Sequence, residues 1–184
     1  MPDNREDPWV SYLNKASAHM EDAVEGYVSD FEHWHITIQV EISNEDYCDL
    51  DTISRAEEEG SQLMARTVKS LRAARKAAKA GMKLKKVDAD TWDDLMRIYK
   101  EASDVLEELL PKGMSLRSST GARRMFWREL YLWHKSRSGM EDDEVFADDD
   151  EFVMQMRFFK KRAEKFGLVD VDGSSYVAHR ANWR

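Results

Sequence analysis

A single cysteine, Cys48, rules out an intramolecular disulfide framework and a cysteine-rich zinc site, and makes a reducing compartment the expectation. No apolar run approaches the ~20 residues needed to span a bilayer. The N-terminal MPDNREDPW is too acidic and polar for a signal peptide. No serine or cysteine triad, glycine-rich nucleotide loop or spaced pair of catalytic carboxylates stands out. The acidic runs at 141–144 and 148–151 lack calcium-loop spacing. His33 and His35 would share one face of a strand, but no clear third metal ligand accompanies them. These absences point to a soluble intracellular protein, cytoplasmic or nuclear, that uses no cofactor, contacts no membrane and is not an enzyme.

The most informative absence is local. Residues 61–87 contain no Asp or Glu, although the chain as a whole carries a net charge of −8. Nine cations occupy that stretch: Arg66, Lys69, Arg72, Arg75, Lys76, Lys79, Lys83, Lys85 and Lys86. On a helix turning 100° per residue, all but Arg66 and Lys85 fall within an arc of about 120°, and Leu63, Met64, Leu71, Ala74, Ala78 and Met82 fill the neighbouring arc. One face of such a helix packs while the next presents cations. The charge is divided along the chain as −13 over residues 1–60, +9 over 61–139 and −4 over 140–184. A local basic surface governs polyanion binding more than the net charge does. The acidic first third is equally able to shield that surface or to dock a basic partner.

Residues 1–8 are expected to be loose. From Trp9 to Phe31, apolar residues recur every three or four positions and predict an amphipathic helix. Ile36, Ile38, Val40 and Ile42 then alternate with polar residues over 35–42, which predicts an isolated half-buried strand. A long helix is expected over 52–86, with Gly60 and Gly81 as weak points, and Asp90 with Asp93 resembles the capping pattern of a second helix that Pro111 ends. These two would form a helical hairpin. Ser119 or Thr120 can cap a helix to about Ser136, and Asp148 with Glu151 caps another, whose expected buried positions are Phe152, Met156, Phe159, Ala163 and Phe166. Gly167 would stop it. Residues 168–171 and 175–178 flank Asp172 and Gly173, a β-hairpin signal. The aromatic group Trp127, Tyr131 and Trp133 with His134 is most economically core.

The order helix, short helix, helix, hairpin over residues 116–180 resembles a winged-helix domain. That resemblance implies that the helix at 149–166 is a recognition helix and that 170–175 form the wing. The expected fold is thus mainly α: a long-helix hairpin with an isolated N-terminal strand over 9–112, then a winged-helix-like unit of three helices and a β-hairpin over 113–184.

Three basic groups could meet a polyanion. Arg66, Lys69, Arg72, Lys76, Lys79 and Lys83 would contact backbone phosphates. Arg123 and Arg124, in a run of hydroxyls, glycine and arginine at a helix start, suit an anion, or would pair with the acids at 141–144. Arg157, Lys161 and Lys165 recur every four residues opposite the apolar face of the last helix. The leading expectation is a non-enzymatic nucleic-acid-binding protein, for DNA or RNA, within a larger assembly. The alternative is an adaptor subunit whose acidic first helix, strand and long helix dock a protein partner or a second copy.

Overall fold

The computed structural model describes residues 7–44, 48–110, 119–137 and 151–166. They form five α-helices: α1 (Pro8–Ser43), α2 (Leu50–Met82), α3 (Ala89–Leu109), α4 (Ser119–Arg137) and α5 (Glu151–Lys165). No strand occurs among the described residues, so the mainly α expectation holds in its coarse form only. No helix among them is long and apolar enough to cross a membrane.

The expected strand at 35–42 is helix, because α1 runs unbroken for 36 residues, about 54 Å at 1.5 Å per residue. Burial explains the difference. Ala16, Met20, Ala23, Tyr27, Phe31, His35 and Ile38 are buried at successive spacings of three or four, so the helical stripe continues through the alternating segment. Ile36 and Val40, which alternation would have placed with Ile38, are 54% and 62% exposed. A lone strand would also lack a ladder for its backbone, whereas a helix satisfies those groups internally. The Thr37 hydroxyl adds a bond to the His33 carbonyl at 2.9 Å.

The chain divides into two compact units that interleave along the sequence: residues 1–25 with 66–109, and residues 26–65 with 110–184. A cut at 112/113 is linear; these units are not, since α1 and α2 each contribute one half to both.

In the first unit, Val68, Leu71, Ala74 and Ala78 of α2 and Leu95, Ile98, Ala102, Val105 and Leu109 of α3 supply buried apolar stripes. Gly81 is a place of close approach rather than a weak point. A Cβ there would lie 2.9 Å from Leu95 Cδ1 and 3.0 Å from Tyr12 Cβ. The turn from α2 to α3 places Lys86 in the left-handed region at φ 74°. The cap of α3 is Asp88, two residues before the expected Asp90. Its carboxylate accepts bonds from the Thr91 amide at 2.9 Å and the Thr91 hydroxyl at 2.8 Å. Those bonds, the backbone one first, hold the Asp88 carboxyl below its ordinary value.

In the second unit, α4 is the central element. Residues 125–134 are all buried, and Phe126 meets Phe31 of α1 edge-on at 6.2 Å. Gly60 of α2 leaves room for the Phe126 ring, which any Cβ at that position would strike. The Trp127 indole donates to Glu57 Oε2 of α2 at 2.7 Å. On α5, Gln155, Phe159 and Ala163 are buried, while Phe152, Met156 and Phe166 are half-buried. Asp49 caps α2, accepting from the Thr52 hydroxyl at 2.6 Å and the Asp51 amide at 3.0 Å, and the Thr52 bond is the main reason its carboxyl is held low.

The winged-helix resemblance is overturned by this arrangement. A winged helix closes its own core from three helices and a sheet. Here the described residues contain no sheet, and α4 is buried on nearly every side because α1 and α2 cover it within one helical unit. The expected β-hairpin segments 168–171 and 175–178, with the wing at 170–175, and the stretch 141–147, lie outside the described residues, as do Pro111 and Gly167.

Candidate nucleic-acid interface

The C-terminal half of α2 folds as a helix because Ala, Leu, Arg and Lys dominate it, all strong helix formers. Its apolar stripe is then fixed by burial in the first unit, which turns the adjoining stripe outward. Arg66, Lys69, Arg72, Lys76 and Lys79, with Lys83 just beyond the helix, are exposed, and Arg75 is half-buried. From Arg66 to Lys83 the row rises about 25 Å.

Among the described residues, none of these cations makes an ion pair or a side-chain hydrogen bond. Elsewhere the chain pairs its arginines readily. Arg97 bonds Asp94 at 3.0 Å, Arg123 bonds Glu58 at 2.9 Å, and Arg128 lies 3.7 Å from Glu129. Among the described side chains, Glu21 and Asp22 of α1 in the same unit make no ion pair with the row; Asp22 instead faces His19 at 4.0 Å. Such a row carries a cost, since like charges three or four residues apart on a helix repel. Six such pairs fall within α2: 66/69, 69/72, 72/75, 72/76, 75/79 and 76/79. Only Lys79 sits in the last turn, where the helix dipole favours a cation.

The other expected cations belong to the second unit and are employed differently. Arg123 spans Glu57 at 3.5 Å and Glu58 at 2.9 Å, and it is the first cause of the lowered Glu58 carboxyl, with Gln62 second. Arg124 donates through Nε to the Phe166 carbonyl at the end of α5. Both arginines therefore tie α4 to its neighbours; the acids at 141–144 that were their expected partners lie outside the described residues. Arg157, Lys161 and Lys165 are exposed on α5. Lys161 and Lys165 make no ion pair among the described residues, and the Lys165 ammonium lies 5.9 Å from the Phe166 ring.

The histidine reading changes most. A helix separates His33 and His35 by about 200°, so they cannot share a face. His33 packs against Trp34 at 4.9 Å, whereas His35 is buried beside His134, with Nε2 3.3 Å from His134 Nδ1. Gln39 Nε2 also donates to His134 Nδ1 at 3.3 Å and to Gln155 Oε1 at 3.0 Å, and Gln155 Nε2 donates to the Ser43 hydroxyl at 2.8 Å. His134 Nε2 lies 3.3 Å from the Phe152 carbonyl, so a His134 tautomer that donates from Nε2 leaves Nδ1 as the acceptor facing His35 and Gln39. These bonds form a buried polar network spanning α1, α4 and α5. No cluster of three or more metal-ligating side chains occurs among the described residues. Trp127, Tyr131, Trp133 and His134 are all buried, as core residues should be.

Sequence reasoning missed this network because its members lie about a hundred positions apart, and no local pattern signals it. Comparison with protein-family models, with curated proteins and with solved structures finds no match to this chain.

Proposed function

We propose that this chain binds nucleic acid without catalysing a reaction on it, holding the phosphate backbone along the exposed row of α2. The observation that carries the reading is the combination at that row: an acid-free helix face, cations at every turn, and no ion pair among the described residues. Self-repulsion in such a row is relieved by a polyanion laid along it, whose condensed counterions are released as the phosphates are neutralised. Arg66, Lys69, Arg72, Lys76, Lys79 and Lys83 make the contacts. Lys161 and Lys165 add basic surface on α5, with Arg157 beside them, whereas Arg123 and Arg124 hold α4 in place. The backbone is read without reference to sequence, because Lys and Arg on phosphate carry no base information.

Fluorescence anisotropy of labelled duplex DNA, single-stranded DNA and RNA over a salt series tests the reading. Replacing Arg72, Lys76, Lys79 and Lys83 by Glu should abolish binding while the helical circular dichroism is kept. Unchanged affinity would remove α2 as the interface.

A second reading, a protein-docking role for α1, is favoured by one observation. Ile36 and Val40 stand exposed one turn apart on the same helix face. Light scattering would reveal self-association that Ile36→Ser with Val40→Ser abolishes; a monodisperse monomer at high concentration would count against the self-associating form.

A further inference from the structure

Beside the charged helix faces, the described residues include an open pocket on α5 lined by Phe158, Lys161, Arg162, Glu164 and Lys165. Its volume, about 660 Å³, falls within the range of small-ligand sites. Phe158 is half-buried, and its ring is fixed from several sides. The Arg162 guanidinium lies 5.3 Å from its centroid, Trp127 meets it edge-on at 6.0 Å, and Phe159 at 6.2 Å. Arg162 is itself steadied by the Trp127 ring at 5.7 Å and by Glu57 at 4.0 Å. An aromatic surface held this firmly loses little freedom when a flat ligand stacks on it.

The rim supplies the complementary charge. Lys161 and Lys165 are one turn apart, exposed and without an ion pair among the described residues, and Glu164 is the one acid lining the pocket. A phenyl ring lining the same pocket as two exposed ammonium groups matches one nucleotide unit of a single strand, whose base stacks while its phosphate is neutralised. Lys and Arg alone would not distinguish a strand with bases from one without.

We propose that the α5 pocket takes one nucleotide of single-stranded nucleic acid, with the base on Phe158 and the phosphate between Lys161 and Lys165. The proposal rests on the nucleic-acid reading of the chain and adds to it a site in the second unit that recognises an unpaired base. The α2 row has no aromatic residue between Arg66 and Lys86, and so supplies charge only.

The test uses the full chain at low salt with two labelled probes of equal length and charge, a short oligothymidylate and an oligomer of abasic sites. One stacked base should make the oligothymidylate roughly 5- to 150-fold tighter. Phe158→Leu keeps apolar bulk against Trp127 and Phe159 but removes the ring face, so the two affinities should converge in that variant. Lys161→Gln with Lys165→Gln, both on the surface, should weaken both probes by the same factor and leave their ratio intact. If neither probe binds wild type, this site fails; if duplex DNA and RNA also fail to bind at low salt, the nucleic-acid reading fails with it. If both bind equally, the pocket proposal fails while the backbone reading stands. A preference for bases that survives Phe158→Leu would also overturn the assignment, because the stacking partner would lie elsewhere.

Discussion

Replacing Lys69, Arg72 and Lys76 together by Gln should make the protein more stable and a weaker binder at once. The three sites are exposed and lie before the last turn of α2, so little helix-dipole stabilisation is lost. Gln matches Lys and Arg in helix propensity, which leaves charge as the main variable. The change removes five of the six like-charge pairs: 66/69, 69/72, 72/75, 72/76 and 76/79. At roughly 0.2–0.5 kcal/mol each, about 1–2.5 kcal/mol of self-repulsion disappears at low ionic strength. For a chain of this length that raises Tm by about 2–10 °C. Thermal melts followed by circular dichroism would show the gain at low salt, and it should vanish near 1 M salt, where the Debye length falls to about 3 Å. In parallel, the slope of log K against log salt should flatten by about 2.7 for a duplex or about 2.1 for a single strand. A stabilising change that costs function is what a self-repelling binding surface predicts. A triple variant that melts at or below the wild-type temperature in low salt would mean that the row does not repel itself and has partners that relieve it.

Three further outcomes follow from the packing. Gly60→Ala should destabilise by about 1–3 kcal/mol despite its better helix propensity, because the added methyl meets the Phe126 ring; a melt equal to or above wild type would contradict that contact. Trp127→Phe keeps an aromatic ring but deletes the bond to Glu57 and empties the space of the indole's second ring, and should cost at least about 1.5–3 kcal/mol in urea unfolding. Asp88→Ala should lower Tm at neutral pH through loss of the α3 cap. The folded Asp88 carboxyl sits below its ordinary 3.8, so its contribution is complete above that value and is lost as pH falls through the lowered one; the difference from wild type should close in acid and persist at neutrality.

The helical stripes of α2 and α3 were legible because apolar spacing alone determines them, and Leu63, Leu71 and Leu95 are buried where periodicity places them. The C-terminal part of α1 was misread for a physical reason. Residues 36–42 carry β-branched side chains at alternate positions, a pattern that a strand and a helix with two exposed isoleucine-like positions both produce. What separates them is whether Phe31, His35 and Ile38 share a buried face, and that depends on α4. Gly60 and Gly81 likewise read as defects in isolation, because the rings and methyls that fill their missing side chains come from Phe126 and Leu95. The cation row was legible as a pattern, while its lack of ion pairs among the described residues required three dimensions. Arg123 and Arg124 show the converse: a basic run that looks like an anion site but is taken up by Glu57, Glu58 and the Phe166 carbonyl.

Phosphate contact along α2 is read from the salt dependence of wild-type binding. With all six cations from Arg66 to Lys83 engaged, log K should fall against log salt with a slope of about −5.4 on duplex DNA or about −4.2 on a single strand. The Arg72, Lys76, Lys79 and Lys83→Glu variant should show no measurable binding under the same conditions. A wild-type slope near zero, or no binding even at low salt, would contradict an interface built on phosphate contacts along α2.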